Sequence, residues 1–387
     1  MKLESRGPVR RAGLALLALG LAVSAAACSS ASGDTSGSSS TGTVNLSSFE
    51  SVVSKAEQPW TTWEGPTTPV TPPQHEKLAL VTCSGTVNGC VVPAEAAQKA
   101  AKSLGWQTTM YDGNGDPVTQ DQVVTQAVNS GATAILLSGI DPSVIQSGLA
   151  AAAAKKIPVG SMTEGIAAGD GVAFDVGANY VTTGDVAGSW IVAASKGKAV
   201  VLPTNDKEFK STVELVDGAI DTVKKCSTCK VLPTDYFVSS DIGNGLGQQV
   251  AGNLQRNPTV NYVIGAYDPA VADMVPAIQN AGLASRVQII SDVGDPQNLG
   301  YIKDGNVQAA DLVFDNTYVG YAAVDQIIRL LAHKPLWKDP GVTDPRFIYN
   351  ENVPYHLITK SNVGNPNTPW TESVNTVAQF DKLWGVK

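Results

Sequence analysis

A chain of 387 residues, 43% hydrophobic and 16% charged, carries enough apolar material for more than one sizeable core. Its formal net charge of −8, with no basic run interleaved with aromatics, argues against any nucleic-acid partner. Three histidines and five cysteines scattered over this length announce neither a triad nor a metal centre, and no metal and no cofactor are expected.

In chain order, MKLESRGPVRR forms a basic head, AGLALLALGLAV adds about a dozen apolar residues, and SAAAC ends in small residues at Cys28. That order reads as a secretory signal over 1–27, its apolar run too short for a permanent membrane helix. Arg10 and Arg11 leave the twin-arginine route open beside general secretion. Removing the four basic and one acidic residues before Cys28 takes the net charge to about −11. Residues 29–45, SSASGDTSGSSSTGTVN, have little to bury and read as a flexible tether. LSSFESVVSKAEQ (46–58) suits a short amphipathic helix. PWTTWEGPTTPVTPPQ then forms an extended, proline-stiffened lead-in, so that 28–77 is tether and lead-in together.

From residue 78 strand-like and helix-like stretches alternate. LALVTC (78–83) precedes AEAAQKAAKSLG (94–105), a helix stopped by glycine. WQTTMYDG, TAILLSG and IPVGSM read as further strands. The helices between them cover DPVTQDQVVTQAVNSG, with a polar start and Gly131 at its end, and PSVIQSGLAAAAAKK. The alternation then resumes, with GVAFDV before VTTGDVAGSWIVAAS, KGKAVVLP before FKSTVELVDGAIDTVKK, and KVLPTDYF before GNGLGQQVAGNLQRN. VNYVIGAYD, VQIISDVG and VQAADLVF follow as strands, each with its helix, over PAVADMVPAIQNAG, PQNLGYIKDG and TYVGYAAVDQIIRLLAH. Nearly apolar strands between helices of roughly 10 to 15 residues indicate α/β lobes, doubly wound, with mainly parallel sheets covered on both faces. Two such lobes are expected, with no low-complexity linker between them. Near the end, Val374, Val377, Phe380 and Leu383 are spaced for a tail helix, over 369–387, that packs on the body.

Several phrases carry a resemblance: AILLSGIDPS (134–143), DVGANYVTTGDVAGSWI (175–191), VDGAIDTVKK (216–225), YVIGAYDPAVADMVPAIQNAG (262–282) and IISDVGDPQNLGYIKDG (289–305). In order and at these intervals, covering about 78–333, the chain resembles type I periplasmic-binding proteins, in particular the ribose- and galactose-like sugar-binding components of bacterial ABC importers. The resemblance implies two α/β lobes joined by three crossing segments, near 175–178, 312–315 and 350–356, around a ligand cleft. It implies a first lobe of 78–176 with 314–350 and a second of 177–313 with 351–368. It also implies a monomer without catalysis, working by a shift between open and closed forms that a membrane permease reads. Ala25-Ala26-Ala27-Cys28 is similar to the lipobox of bacterial lipoproteins, with Ala25 where leucine is usual. It implies a lipid anchor through Cys28 on the outer face of the cell membrane; plain cleavage near Ala27 with a free Cys28 is the alternative. The related repressors begin with a DNA-binding head, where this chain has a signal and tether.

Ligands of open parallel sheets approach the carboxyl ends of the strands. That rule selects Ser84, Thr86 and Asn88 after the first strand, Gly139, Ile140 and Asp141 after the third, and Ser161, Thr163 and Glu164 around the end of the fourth. In the second lobe it selects Asn205, Glu208 and Phe209, then Tyr267 and Asp268, then Asp292 and Val293, while Asp315 and Asn316 stand at the last crossing. Each has an ordinary alternative. Asp141 and Asp268 precede prolines and suit helix capping, Asn88 and Asn205 suit turns, Phe209 suits packing, and Thr163 with Glu164 suits solvent exposure. Tyr267 offers a ring face and a hydroxyl. Ribose-like members carry an Asp-Arg pair where this chain has Thr163-Glu164, and an arginine for which FKSTVELVDG has no counterpart. They carry Asn-Asp at Tyr267-Asp268, aspartate at Val293 and glutamine at Val313. The forks that grip sugar hydroxyls are therefore largely replaced, which points to a small neutral solute, a sugar or something less hydroxylated, and away from phosphates and dicarboxylates.

After Cys28 the count of cysteines is even, and a secreted chain favours disulfides, most simply Cys83–Cys90 and Cys226–Cys229 among three possible connectivities. A four-cysteine zinc site is disfavoured by the six-residue gap in CSGTVNGC. CSTC (226–229) follows its helix, the wrong end for a dipole-activated thiol, so a structural clasp is preferred over a thiol-disulfide oxidoreductase. A ligand-sensing lipoprotein read by a membrane receptor is the remaining alternative to import.

Overall fold

The computed structural model describes residues 44–371 and 374–386; the expected signal, Cys28 and the tether up to residue 43 lie outside them. Helix α1 (Ser47–Ala56) is followed by an extended lead-in. A first sheet is then built from β1 (Lys77–Thr82), β2 (Gln107–Asp112), β3 (Ala134–Ser138), β4 (Val159–Met162) and β5 (Asp175–Val176), in the order β2-β1-β3-β4-β5 and parallel throughout. Its connections are α2 (Asn88–Ser103), α3 (Pro117–Asn129) and, after a 3-10 turn at Pro142–Val144, α4 (Gln146–Ala154). The near-continuous apolar run of β1 is explained by burial on both faces. Leu78 and Leu80 pack into one core, whereas Ala79 and Val81 pack into another on the opposite side of the sheet.

The second lobe runs through α5 (Tyr180–Ala194), β6 (Val200–Asp206), α6 (Lys210–Lys224), β7 (Lys230–Val231), β8 (Asp235–Phe237) and α7 (Leu246–Arg256). It continues with β9 (Tyr262–Ile264), α8 (Asp268–Asn280), β10 (Gln288–Val293), α9 (Pro296–Asp304) and β11 (Gln308–Phe314). After α10 (Asn316–Leu331), β12 (Tyr355–Thr359) returns to the second sheet, whose order is β12-β11-β10-β9-β6-β7 with β8 beside β6. β12 is antiparallel to β11, and the other pairings are parallel. The chain thus changes lobe three times: between β5 and α5, between β11 and α10, which packs on α2, β4 and β5, and between α10 and β12.

Three boundaries differ from the sequence reading, each for a local reason. α2 starts at Asn88, not Ala94, because Pro93 inside the helix removes one N–H without stopping it. KVLPTDYF divides into β7 and β8 around Pro233. PSVIQSGLAAAAAKK divides where Asp141 accepts from Ser143 N at 2.8 Å, making a separate turn before α4. The helix α11 (Thr376–Trp384) buries Phe380, Leu383 and Trp384 against α10, with Val377 half-buried. Both expected disulfides are present. Cys83–Cys90 ties the end of β1 to the first turn of α2, and Cys226–Cys229 closes the segment after α6.

The lead-in bridges the two lobes behind the cleft. α1 packs on α5 and β12 of the second lobe. Beyond it, Trp60 Nε1 donates to Tyr355 O at 2.9 Å and Asn352 Nδ2 to Glu64 Oε2 at 2.8 Å. Arg329 Nη2 reaches Thr68 O at 3.1 Å and Trp106 Nε1 reaches Pro73 O at 2.9 Å, fixing the far end to the first lobe.

Candidate ligand cleft

Both sheets turn their carboxyl ends towards one cavity. The first lobe contributes Val87, Gly89 and Cys90 at the start of α2, Gly139 after β3 and Thr163 after β4. The second contributes Phe209, Ser211 and Thr212 at the start of α6, Tyr267 and Pro269 at the start of α8, and Asp292 with Val293 at the end of β10. Tyr180, Phe314 and Asn316 close it beside the crossings. Gly139 is required where it stands: its φ is +65°, and a Cβ there would come within 2.7 Å of Cys90 Sγ.

Seven of the residues expected from the sequence line this cavity, namely Gly139, Thr163, Phe209, Tyr267, Asp292, Val293 and Asn316. The others stand around it. Ser84 and Thr86 bond each other through their hydroxyls at 3.0 Å. Ser161 and Asn205 are buried at the ends of β4 and β6, and Glu208 Oε2 accepts from Ser239 N at 2.6 Å. Asp315 caps α10, accepting from Tyr318 N at 3.1 Å. Asp141 caps its turn, as the ordinary alternative had it. Asp268 does not cap its own helix: its carboxylate accepts from the Ser291 hydroxyl, from Gly294 N at 3.0 Å and from Asp295 N at 2.7 Å. Those bonds clamp the loop after β10 and hold Val293 at φ +105°, a strained conformation for a β-branched residue. Glu164 is fully buried, not solvated.

Three bonds join the lobes across the mouth. Asn88 Nδ2 donates to Asp295 Oδ1 at 2.9 Å, Lys210 Nζ meets Asp141 Oδ1 at 3.1 Å, and Lys210 N donates to Glu164 Oε1 at 3.2 Å. The lobes are therefore closed on each other. Behind the mouth carboxyl groups crowd together. Burial, then Asp175 and Asp141, pushes Glu164 well above the usual carboxylate range, and burial pushes Asp175 up to about 6. Burial, then Asp268 and Asp295, pushes Asp292 well up. The Tyr267 hydroxyl donates to Asp206 Oδ2 at 2.7 Å, so Tyr267 offers the cavity its ring and not its hydroxyl.

Sequence reasoning missed Val87, Gly89, Cys90, Tyr180, Ser211, Thr212, Pro269 and Phe314. Val87, Gly89 and Cys90 were hidden by the late placement of α2. Tyr180 and Phe314 had a usable signal, since both flank a crossing. Among the described residues no group of three or more His, Cys, Asp or Glu is placed to hold a metal ion, and no helix is long and apolar enough to cross a membrane.

Two α/β lobes joined by three passages and closed over a shared cavity define the type I periplasmic-binding fold, whose class binds solutes and does not transform them. The periplasmic binding protein domain matches residues 81–335, and the chain belongs to that family. No curated protein sequence matches it. Among solved structures, the chain is similar to an ABC transporter solute-binding protein from Agrobacterium vitis bound with α-D-tagatopyranose. The two share 22% identity at a TM-score of 0.65, over 75% of this chain and 97% of that one. It is similar to the Caulobacter myo-inositol binding protein bound to myo-inositol, at 18% identity and a TM-score of 0.64, over 76% and 96%. It is also similar to an ABC transporter solute-binding protein from Mycobacterium smegmatis with bound glycerol, at 19% identity and a TM-score of 0.64, over 78% and 100%.

Proposed function

We propose that this chain captures a small sugar-like solute outside the cytoplasm by closing its two lobes and delivers it, as a monomer, to the permease of an ABC importer. The observation that carries this reading is a cavity walled by both lobes at the carboxyl ends of their strands, under a mouth already bridged by Asn88–Asp295, Lys210–Asp141 and Lys210–Glu164. A ligand that touches both walls favours the closed form by its differential affinity, with no chemical step. The working lobes are 78–176 with 314–350 and 177–313 with 351–368, and the tail is 369–387. The seven expected residues that line the cavity are the proposed ligand contacts, joined by Tyr180, Ser211, Thr212 and Phe314. The lipobox-like Cys28 supplies the proposed lipid anchor to the outer face of the cell membrane, with the Ser/Gly/Thr tether as its spacer. Support comes from the polyols and sugars bound in similar folds.

The test pairs thermal-shift screening of sugars and polyols with small-angle scattering of each hit. A hit raises the melting temperature and leaves or restores the compact form. Solutes that raise the melting temperature with the lobes remaining apart would overturn closure as the mechanism.

A further inference from the structure

The cavity has an acid and no base. Among the described residues, Asp292 is the one charged side chain on its wall, and no lysine, arginine or histidine lines it. Asp292 is 6% exposed, and its Oδ1 has no hydrogen-bond partner among the described residues. The side chains that act on it most, Asp268 and Asp295, are themselves acids, and no cation is among them. The cation at the mouth, Lys210, is engaged by Asp141. Four aromatic rings stand on the rest of the wall, Tyr180 edge-on to Phe314 and Phe209 edge-on to Tyr267, each pair 5.9 Å between centroids.

We propose that the solute carries an amine and that Asp292 is the residue that selects it. This rests on the solute-capture reading above and replaces the neutral ligand expected from the sequence with an amino sugar or amino polyol. A buried carboxylate without a partner is costly, and a neutral hydroxyl leaves its charge unbalanced. An ammonium group gives it a charge-assisted hydrogen bond, and aromatic walls accept the same cation. No guanidinium stands on the wall to grip an anion, and a monocation of sugar size suits Asp292 and the rings. The competing arrangement has Asp292 protonated and donating to a sugar oxygen, and the two differ in pH dependence. An ammonium ligand needs Asp292 ionised and its own amine protonated, so its affinity rises with pH as Asp292 loses its proton and falls again once the amine loses its own. A neutral ligand gains nothing from that ionisation.

The experiment measures affinity of the full chain by calorimetry and thermal shift for matched pairs: glucosamine and glucose, galactosamine and galactose, and 1-amino-1-deoxysorbitol and sorbitol. The expected result is that the amine of at least one pair binds roughly tenfold tighter than its hydroxyl partner. That preference disappears in Asp292→Asn, and amine affinity for the unaltered chain falls as the pH is lowered through the raised titration range of Asp292. A hydroxyl partner that binds as tightly, a preference retained in Asp292→Asn, or an affinity flat with pH overturns the amine and leaves solute capture standing. If Asp292→Asn shows no cooperative melt, the pH comparison on the unaltered chain decides alone. A panel in which no member of any pair changes the melting temperature overturns the capture reading itself.

Discussion

Two aromatic clusters, one lining the cavity and one packed within the core, use the same residue types differently. In front, Tyr180, Phe314, Phe209 and Tyr267 surround empty space, with Asp292 among them lacking a partner for one oxygen. Behind, Trp63, Tyr318, Tyr321, Phe380 and Trp384 pack on one another at 5.2–6.0 Å between centroids, Tyr321 and Trp384 stacked within 5°. Their polar tips are used internally. Trp384 Nε1 donates to Asp325 at 2.7 Å, Trp63 Nε1 to Pro66 O at 3.0 Å and the Tyr318 hydroxyl to Glu351 O. The Glu351 carboxyl beside them is pushed well up by burial and then by Asp325, which favours its protonated form within the packing. Aromatic content alone therefore does not mark a binding site. Nor does an unsatisfied carboxyl alone, since both Glu351 oxygens in the packed rear also lack a hydrogen-bond partner among the described residues; empty space beside such an atom does.

The largest test of this contrast is Phe380→Ala. Removing a fully buried ring from the rear cluster costs about 3–5 kcal/mol in denaturant unfolding, with solute affinity of the folded fraction unchanged. A large affinity loss there would show that the rear cluster shapes the cleft. The disulfides divide the same way. Opening Cys83–Cys90 with serines costs about 2.5 kcal/mol by loop entropy and also weakens binding, because Cys90 is part of the cavity wall. Opening Cys226–Cys229 costs about 1.9 kcal/mol and leaves affinity unchanged in the same titration. Phe314→Leu reverses the pattern of Phe380→Ala. Calorimetry is expected to show solute affinity down by roughly tenfold, with unfolding free energy changed by less than about 1.5 kcal/mol.

The front and rear also differ in how much of them was readable beforehand. Strands such as AILLS were legible because parallel sheets bury both faces, and the helices were legible wherever a cap or glycine marked an end. The rule of strand ends found Thr163, Asp292 and Val293. It could not separate Asp292 from Asp268, because both stand at strand ends and only tertiary contacts turn Asp268 into the loop after β10. Tyr267 was found, but the capture of its hydroxyl by Asp206, 61 residues earlier, has no local signal. Nor does the rear cluster, where Trp63 meets Phe380 across most of the chain. Pro93 hid the start of α2 and with it Val87, Gly89 and Cys90.

The smallest expected effect belongs to the mouth. Lys210 pairs with Asp141 through side chains that are 49% and 20% exposed, so solvent and salt screen the attraction. In Lys210→Ala the main-chain N–H still donates to Glu164, and Asn88 still holds Asp295. Closure is therefore weakened by less than about 1 kcal/mol, and solute affinity falls no more than about fivefold. In the unaltered chain, about 0.5 M salt is expected to reproduce most of that loss without any substitution. A fall well beyond tenfold in Lys210→Ala would mean that the ion pair at the rim, and not the cavity wall, holds the lobes shut. The front cluster would then be packing like the rear one, and the distinction between them would fail.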